Sequence, residues 1–283
     1  GLVIKDSKGN QFVWIPVDET SLNEMYQVSS GTKLTGVTTT TNVYSKLRIR
    51  SGDSFTAGTP NSTNLREPDV LSKYDTDSDY YSILEYGSTK DMADGIVEEY
   101  TATYNSIKKY KGFYIGRYEL TGSVSSPTVQ KGKEVLGSQN WYNLKKACTN
   151  VVSSSYAQST MIYGNQWDEV MDWLIDTGAK TSSEVNSDSS SWGNYSNSTG
   201  EAATNSGTKR PSGYNEAWQA NNIYDLAGNC WERTQEARST SSRVGRSGDY
   251  DSSGFDSPAS DRSNDNPYTS RSYGSSRPAL YIK

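Results

Sequence analysis

The side chains that most often carry out catalysis are scarce in this chain of 283 residues. It contains no His, which excludes an imidazole general base, His-dependent nucleophilic dyads and triads, and imidazole metal sites. The two cysteines, Cys148 and Cys230, cannot supply a four-thiolate zinc site. Their apolar neighbours in LKKAC and AGNCW predict buried, inert thiols and leave a disulfide between them open. The 33 Asp and Glu residues include no motif that points to a catalytic pair.

Charge and hydropathy narrow the classes of partner. The formal net charge of −5 provides no basic face, so we expect no nucleic-acid partner. No run approaches the ~20 apolar residues of a membrane span, so we expect no membrane insertion. The 21 Tyr and 7 Trp can build a core, provided that their polar tips find hydrogen-bond partners. Because the sequence starts at Gly1 without Met or a signal-peptide pattern, we expect a processed form or a piece of a longer protein.

The end of the chain lacks five residue types altogether. Residues 237–282, called the tail from here on, resemble a polar loop but contain no Lys, Glu, Gln, Met or Trp. Those types make up 48 of residues 1–236, so about nine would be expected in the tail, and for a uniform composition the chance of none is on the order of 3 in 100,000. A solvated loop has no physical reason to contain six Arg and no Lys, or five Asp and no Glu.

One genetic rule accounts for this composition. If either adenine of an Asn codon is replaced by any base, the reachable residues are Asn, Asp, Ser, Tyr, Thr, Gly, Arg, Ala, His, Pro, Val, Ile, Leu, Phe and Cys. The five missing types cannot be reached. The alternative is a Ser- and Asp-biased loop with codon drift, and composition alone leaves both explanations open.

Short strands and helices must hold the tail in place. Apolar periodicity predicts helices over residues 92–111, from about 138, and over about 165–176. Apolar runs predict strands at FVWIPV near the start, at 112–120, after the turn around Gly228, and at 279–283. Residues 18–80 and 181–215 have the composition of long irregular loops. The pattern predicts one α+β domain.

Six segments then carry a resemblance, in order along the chain. The segment NIYDLAGNCWERT (222–234) resembles the NxYDMxGNVWEWT signature of the formylglycine-generating enzyme-like (sulfatase-modifying factor) family. The segments FVWIPV, GFYIGRYEL, SQNWYNLKKAC, SSRVGRSGDY and GSSRPALYI resemble further family segments. The resemblance runs from about residue 10 to 283. It implies a single domain over 1–283 with a C-type-lectin-type α+β fold: small twisted antiparallel sheets, two or three flanking helices and much loop, with insertions at about 18–90 and 181–215.

The resemblance also bears on chemistry. Oxidase members of the family depend on a pair of cysteines in the segment that corresponds to residues from Asp249 onward, and this segment has no cysteine. A related branch binds iron through His, which is absent. We therefore expect no enzyme activity and no organic cofactor. The family often holds calcium near Asn and Asp of its signature, which leaves Asp225, Asn229 and Glu232 as candidate calcium ligands; the alternative is that they satisfy polar groups of the loop.

The tail composition and the resemblance together indicate a variable protein of a diversity-generating retroelement. Such proteins carry a fold of this kind, and adenine-directed mutagenesis rewrites their C-terminal segment. The variable region is expected at about 237–277. Scaffold positions are expected at Arg243, Arg246, Gly248, Gly254, Pro258, Arg262, Pro267, Gly274 and Arg277. Ligand-facing positions are expected at Asp249, Tyr250, Asp251, Ser252, Ser253, Asp256, Asp261, Ser263, Asn264, Asp265, Asn266, Tyr268, Ser270, Arg271, Ser272, Tyr273 and Ser275.

The expected function is recognition by contact. Tyr250, Tyr268, Tyr273 and Arg271 are predicted to be the energetic anchors, so replacing Tyr268 and Tyr273 by Ala should weaken binding with little effect on stability. The expected partner is a protein or glycan on a cell surface, and the expected location is a phage tail or a bacterial cell surface. The alternative is a non-variable, formylglycine-generating enzyme-like domain, structural or a degenerate oxidase, of a phage or bacterial surface protein.

Overall fold

The computed structural model of the chain describes residues 1–26, 49–51, 54–56, 79–239 and 242–283. Most of the predicted insertion at 18–90 therefore lies outside the described residues. The strands are β1 (Val3–Lys5), β2 (Gln11–Pro16), β3 (Ile49–Ser51), β4 (Ser54–Thr56), β5 (Gly112–Gly116), β6 (Thr121–Gly122), β7 (Pro127–Thr128), β8 (Ala157–Met161), β9 (Gln219–Ala220), β10 (Ile223–Tyr224), β11 (Trp231–Ser239), β12 (Ser242–Arg246), β13 (Arg262–Asp265), β14 (Gly274–Ser276) and β15 (Pro278–Ile282). The α-helices are α1 (Glu19–Met25), α2 (Thr89–Tyr110), α3 (Trp141–Asn150), α4 (Gly164–Asp176) and α5 (Ser182–Asn186).

The three predicted helices are present, close to their expected bounds. In α2 the Ser88 side chain accepts the Asp91 backbone N–H, and the helix ends where Lys111 adopts a left-handed φ of 63°, as helix caps do. Asn140 caps α3 in the same way. Among the described helices, none is long and apolar enough to cross a bilayer.

The larger sheet joins the two ends of the chain. In the described part of the chain its order is β1-β2-β5-β15-β8, and every neighbouring pair is antiparallel. The C-terminal strand β15 thus lies between β5 and β8. This sheet packs against α2 and α3, so β15, the last strand of the tail, is held in the core of the protein.

A smaller sheet carries the tail. Its order over the described residues is β13-β12-β11-β14. The β12 strand is antiparallel to both β11 and β13, but β14 runs parallel to β11. The expectation of an α+β chain with small antiparallel sheets is confirmed, and among the described strands β11 and β14 are the pair that departs from it. The chain reaches β14 through residues 266–273 rather than through a tight hairpin, and such an excursion allows it to enter beside β11 in the same direction.

Buried tryptophans supply much of the core, and their polar tips are satisfied. The indole N–H groups of Trp141, Trp167, Trp192 and Trp218 donate to backbone carbonyls at 2.8–3.1 Å. Trp167 donates to Ala259 of the tail. Cys148 and Cys230 are buried and free, and burial raises the pKa of the Cys148 thiol to about 12. The open question of a disulfide is thus answered by two unlinked, inert thiols.

Candidate binding surface

Guanidinium groups hold the tail strands against the helices. Arg243 lies over the ring of Trp141 on α3, with its Cζ atom 5.2 Å from the ring centroid. Arg246 pairs with Asp168 on α4 at 2.7 Å and donates to the Ser260 carbonyl at 3.0 Å. Both arginines are fully buried. A guanidinium binds through both its charge and its flat face, so such contacts restrict where the arginine can lie. Arg243 and Arg246 therefore hold strand β12 against helices α3 and α4.

Arg277 links the tail to the segment that resembles the family signature. Its Nε and Nη2 atoms bind the two carboxylate oxygens of Glu232 at 3.0 and 2.6 Å. Its remaining donors reach the carbonyls of Gly116 and Tyr224. Every one of these groups is buried. Burial of the other expected scaffold positions follows the same pattern: Gly248, Gly254, Pro258, Pro267 and Gly274 are buried, and Arg262 is half-buried against Glu236.

The candidate calcium ligands do not fit a calcium site. Both Glu232 oxygens are bound by Arg277, a cation that already occupies their common side. The Asn229 side-chain oxygen accepts hydrogen bonds from the Asn194 amide and the Arg210 backbone, and one Asp225 oxygen accepts from Ser212 and Gly213. Over the described residues, no group of three or more Cys, Asp or Glu side chains could hold a metal ion. Asp225 and Asn229 accept hydrogen bonds from loop groups, as in the alternative set out above, whereas Glu232 is paired with Arg277.

A cleft of about 280 Å³ opens on the small sheet. Its floor is Trp231, whose indole lies across the sheet over Gly245. A Cβ atom at position 245 would lie 2.0 Å from the indole Cε2, so only glycine permits this approach. In the described structure its lining is Trp231, Ser247, Gly248, Asp249, Ser252, Ser257, Asp261, Ser263, Asn264, Asp265, Arg271 and Tyr273.

The lining comes almost entirely from the tail. Trp231 is the one of these twelve residues that precedes residue 237. Eight of the seventeen expected ligand-facing positions line the cleft: Asp249, Ser252, Asp261, Ser263, Asn264, Asp265, Arg271 and Tyr273. The structure therefore brings together residues that are spread over 25 positions of sequence, from 249 to 273.

The remaining expected positions differ in their exposure. Asp251, Asp256, Asn266, Ser270 and Ser272 are exposed, whereas Tyr250 and Ser253 are half-buried. Sequence reasoning missed four residues of the lining: Trp231, Ser247, Gly248 and Ser257. The position of Trp231 in the strand after Gly228 carries no signal that it lines a cleft.

Two expected positions are wrong. Ser275 is fully buried, and its hydroxyl donates to the Leu136 carbonyl at 3.0 Å; β14 is covered because it lies between β11 and α3. The ring of Tyr268 stacks on Tyr80 with centroids 4.5 Å apart and on Tyr142 at 5.8 Å, and it packs against a hydrophobic cluster. Tyr268 is therefore a packing residue, and these contacts lead us to expect that its loss lowers stability.

The predicted insertion at 181–215 supports the wall of the cleft. Ser196 and Asn197 bind the loop at Ser252 and Gly254 through backbone and amide hydrogen bonds of 2.8–2.9 Å. Ser189 donates its backbone N–H to the Gly254 carbonyl at 3.0 Å and accepts the Ala259 N–H at 2.9 Å. The irregular loop 247–261 is thus held by hydrogen bonds from residues outside the tail.

Three aspartates and one arginine are among the described residues that line the cleft. Asp265 binds the guanidinium of Arg271 through two contacts of 2.7 and 3.3 Å and that of Arg233 at 3.2 Å. Although burial opposes the effect, the hydrogen bond from Arg271 lowers the pKa of Asp265. Burial raises the pKa of Asp249 and Asp261, which also line the cleft, and the charge of Arg246 opposes that rise at Asp261.

Comparisons with known proteins add distant similarities. No protein-family model matches the chain, and no curated protein matches it. Similar solved structures include variable protein 1 from Treponema denticola, which is 14% identical over 99% of this chain and 98% of that one, with a TM-score of 0.35. They also include PvdO from Pseudomonas aeruginosa, which is 12% identical over 60% of this chain and 81% of that one, with a TM-score of 0.40.

Proposed function

We propose that the chain is a ligand-binding variable protein of a diversity-generating retroelement. Its frame would be a C-type-lectin-type fold of the formylglycine-generating enzyme-like kind. The observation that carries the proposal is the origin of the cleft: eleven of its twelve lining residues in the described structure belong to the tail, the one segment that lacks the five residue types unreachable from an Asn codon by adenine replacement.

The tail contains both buried residues that bind the frame and residues that line the cleft, and this supports the proposal. Arg243, Arg246 and Arg277 are buried and bound to residues outside the tail. The positions between them supply Asp, Ser, Asn, Tyr and Arg to the cleft. Antibody loops use a similar mixture, in which Tyr provides large contact area at small entropic cost and small polar residues adapt to the partner. A fixed frame with such a surface is suited to recognition.

The partner would be a protein or a glycan on a cell surface. The chain itself would be displayed on a phage tail or a bacterial cell surface. Contact rather than catalysis would be the activity. Cys148 and Cys230 are buried, and the tail offers no thiol, so the thiolate chemistry of the resembled oxidases has no candidate residue. The second candidate is the non-variable domain of the same fold, which the composition of the tail disfavours.

A pair of libraries tests the proposal. In the first, Asp249, Ser263, Asn264 and Tyr273 are replaced by mixtures of the residues reachable from an Asn codon. In the matched control, the exposed residues Ser125, Ser126, Lys133 and Glu134 receive the same mixtures. We expect the cleft library to stay folded and to give binders to several immobilised proteins, while the control library gives none. Equal yields from the two libraries, or unfolding of most cleft variants, would contradict the proposal.

A further inference from the structure

Strand β13 forms an edge of the small sheet, since β12 is the strand that pairs with it among the described residues. In an antiparallel pair, opposite residues alternate between exchanging backbone hydrogen bonds and turning those groups away from each other. Ser247 and Asp261 continue the register of β12 and β13, and the Ser247 N–H donates to the Asp261 carbonyl at 3.2 Å. Two positions on, Ser263 therefore turns its N–H and C=O toward β12, and Asn264 turns its own away.

A contact on the other side of β12 agrees with this alternation. Val244 stands opposite Asn264, and its carbonyl accepts a hydrogen bond from the hydroxyl of Thr234 on β11 at 3.1 Å. Val244 thus turns toward β11 and away from β13. The outward N–H and C=O of Asn264 consequently have no hydrogen-bond partner within the part of the chain that the structure describes.

The two edges of the small sheet differ in their accessibility. Strand β14 at the opposite edge is buried, and the Ser276 carbonyl accepts the Leu120 N–H at 3.0 Å. On β13, Ser263 is exposed, whereas Asn264 and Asp265 are half-buried, and all three residues line the cleft. The edge with outward backbone groups is therefore the edge that adjoins the cleft.

Strand β13 lacks the features that commonly protect a sheet edge from strand addition, namely Lys, Pro or a β-bulge. Its sequence contains neither Lys nor Pro, and its register with β12 is regular over four residue pairs. The Arg262 side chain pairs with Glu236, and the Asp265 carboxylate pairs with Arg233 and Arg271. Both charges of the strand are thus held in ion pairs within the protein.

We propose that an extended segment of a protein partner adds to the small sheet alongside β13. In the antiparallel sense, one residue of that segment exchanges two backbone hydrogen bonds with Asn264. The residues on either side of it direct their side chains to the face that carries Ser263 and Asp265, which line the cleft. This inference rests on the proposed function and names the partner as a protein rather than a glycan.

Recognition of the backbone suits a surface whose side chains vary. The N–H and C=O groups at position 264 stay the same whichever residue stands there, with proline as the exception. Strand addition therefore supplies a constant share of the affinity, while the side chains of the cleft supply the share that differs between copies.

Hydrogen exchange tests the premise in the free protein. The Asn264 amide should exchange rapidly, and the Ser263 amide, which faces β12, should exchange slowly. A phage-displayed library of linear octapeptides is then selected on the protein, and a synthetic peptide of one recovered sequence is titrated into the ¹⁵N-labelled protein. We expect saturable binding that slows exchange of the Asn264 amide.

Two variants at one position separate the backbone from the side chain. Asn264→Ala keeps the N–H group and should bind the peptide as the parent does. Asn264→Pro removes an N–H group that lies outside the β12 ladder, where proline is tolerated. It should bind at least about fivefold more weakly, which corresponds to the loss of about 1 kcal/mol for one hydrogen bond.

N-methylation of successive peptide residues gives a second readout that needs no variant of the protein. Because alternate backbone N–H groups of an added strand face the sheet, methylation should weaken binding at every second residue of the bound segment. Effects without this alternation, equal binding by Asn264→Pro and the parent, a slowly exchanging Asn264 amide in the free protein, or recovery of no peptide would each overturn the inference. None of these results bears on the cleft library, whose failure to give any binder contradicts the proposed function itself.

Discussion

Arg233 and Asp265 form an ion pair that joins the frame to the tail. The Arg233 Nη2 atom lies 3.2 Å from the Asp265 carboxylate, and the Arg233 side chain is fully buried. The same guanidinium donates to the carbonyls of Asn266 and Thr269 at 3.2 and 2.9 Å. A residue before the tail therefore fixes the loop that carries Arg271, and Asp265 is both a wall of the cleft and a support of the frame.

Replacing Asp265 should consequently cost stability as well as change the cleft. Asp265→Asn leaves the buried Arg233 without its carboxylate, and we expect a loss of about 1–3 kcal/mol in the free energy of unfolding. The control is Arg271→Ala, which removes the partner that is 41% exposed and should cost under about 1 kcal/mol. Urea denaturation measures both. Equal stability of Asp265→Asn and the parent would show that Asp265 is a free surface position.

Tyr268 should behave as a packing residue and Tyr250 as a surface residue. Because the Tyr268 ring stacks on Tyr80 and Tyr142, Tyr268→Ala should lower the free energy of unfolding by about 2–4 kcal/mol. Tyr250→Ala should change it by less than about 1 kcal/mol. Thermal and urea unfolding of the two variants are compared directly. A smaller loss for Tyr268→Ala than for Tyr250→Ala would contradict the packing role.

Gly228 should be intolerant of a side chain for a reason that goes beyond its backbone conformation. Its φ is +70°, and a Cβ atom would lie 2.1 Å from the Asn194 carbonyl oxygen. Gly132 has nearly the same φ, +72°, with nothing within 4 Å of a Cβ. Gly132→Ala should cost about 1–2 kcal/mol from backbone strain alone, and Gly228→Ala at least about 2 kcal/mol more. Similar melting temperatures for the two variants would refute the close contact between Gly228 and Asn194.

Stability should depend on pH through a buried pair of carboxyl groups. Burial raises the pKa of Asp225 to about 6, and burial together with the Asp225 charge raises the pKa of Glu119 well above its usual range. Because the folded pKa values lie above the unfolded value of about 4, the folded state binds more protons between them. The free energy of unfolding therefore falls as pH rises from about 4 through the folded pKa values.

Glu119→Gln removes one of these charges and keeps an acceptor for the Asn229 amide, which lies 2.6 Å from the Glu119 carboxylate. We expect the variant to match the parent within about 1 kcal/mol at pH 4 and to exceed it by at least about 1 kcal/mol at pH 8, since one pKa unit corresponds to about 1.4 kcal/mol. Urea denaturation across this range is the measurement. Parallel pH profiles for the two proteins would show that the pair does not titrate with folding.

Local patterns in the sequence were sufficient to predict the helices and the buried positions of the tail. The cap at Ser88 and the apolar stripe after it act over neighbouring turns, so α2 could be predicted within a few residues. The buried arginines could be predicted because their positions resemble fixed positions of a known family. Each of these signals is contained in a short segment.

Contacts between distant segments explain what sequence reasoning missed. Tyr268 is covered by Tyr80, from a segment that appeared to be irregular loop, so nothing near Tyr268 in the sequence reveals its burial. Ser275 is enclosed because β14 pairs in parallel with β11, a topology that composition does not encode. The support that Ser196 and Asn197 give to the tail loop likewise depends on an insertion whose path no local pattern specifies.

The coding DNA of residues 237–282 tests the central claim most directly. It is sequenced in many copies from a population, together with the flanking DNA. We predict a near-identical template repeat beside a reverse-transcriptase gene, with differences between copies confined to adenines of the template and concentrated in codons of cleft residues such as Asp249, Ser263 and Tyr273. Absence of a template, or substitutions spread equally over all bases and over the codons of Arg243, Arg246 and Arg277, would contradict it.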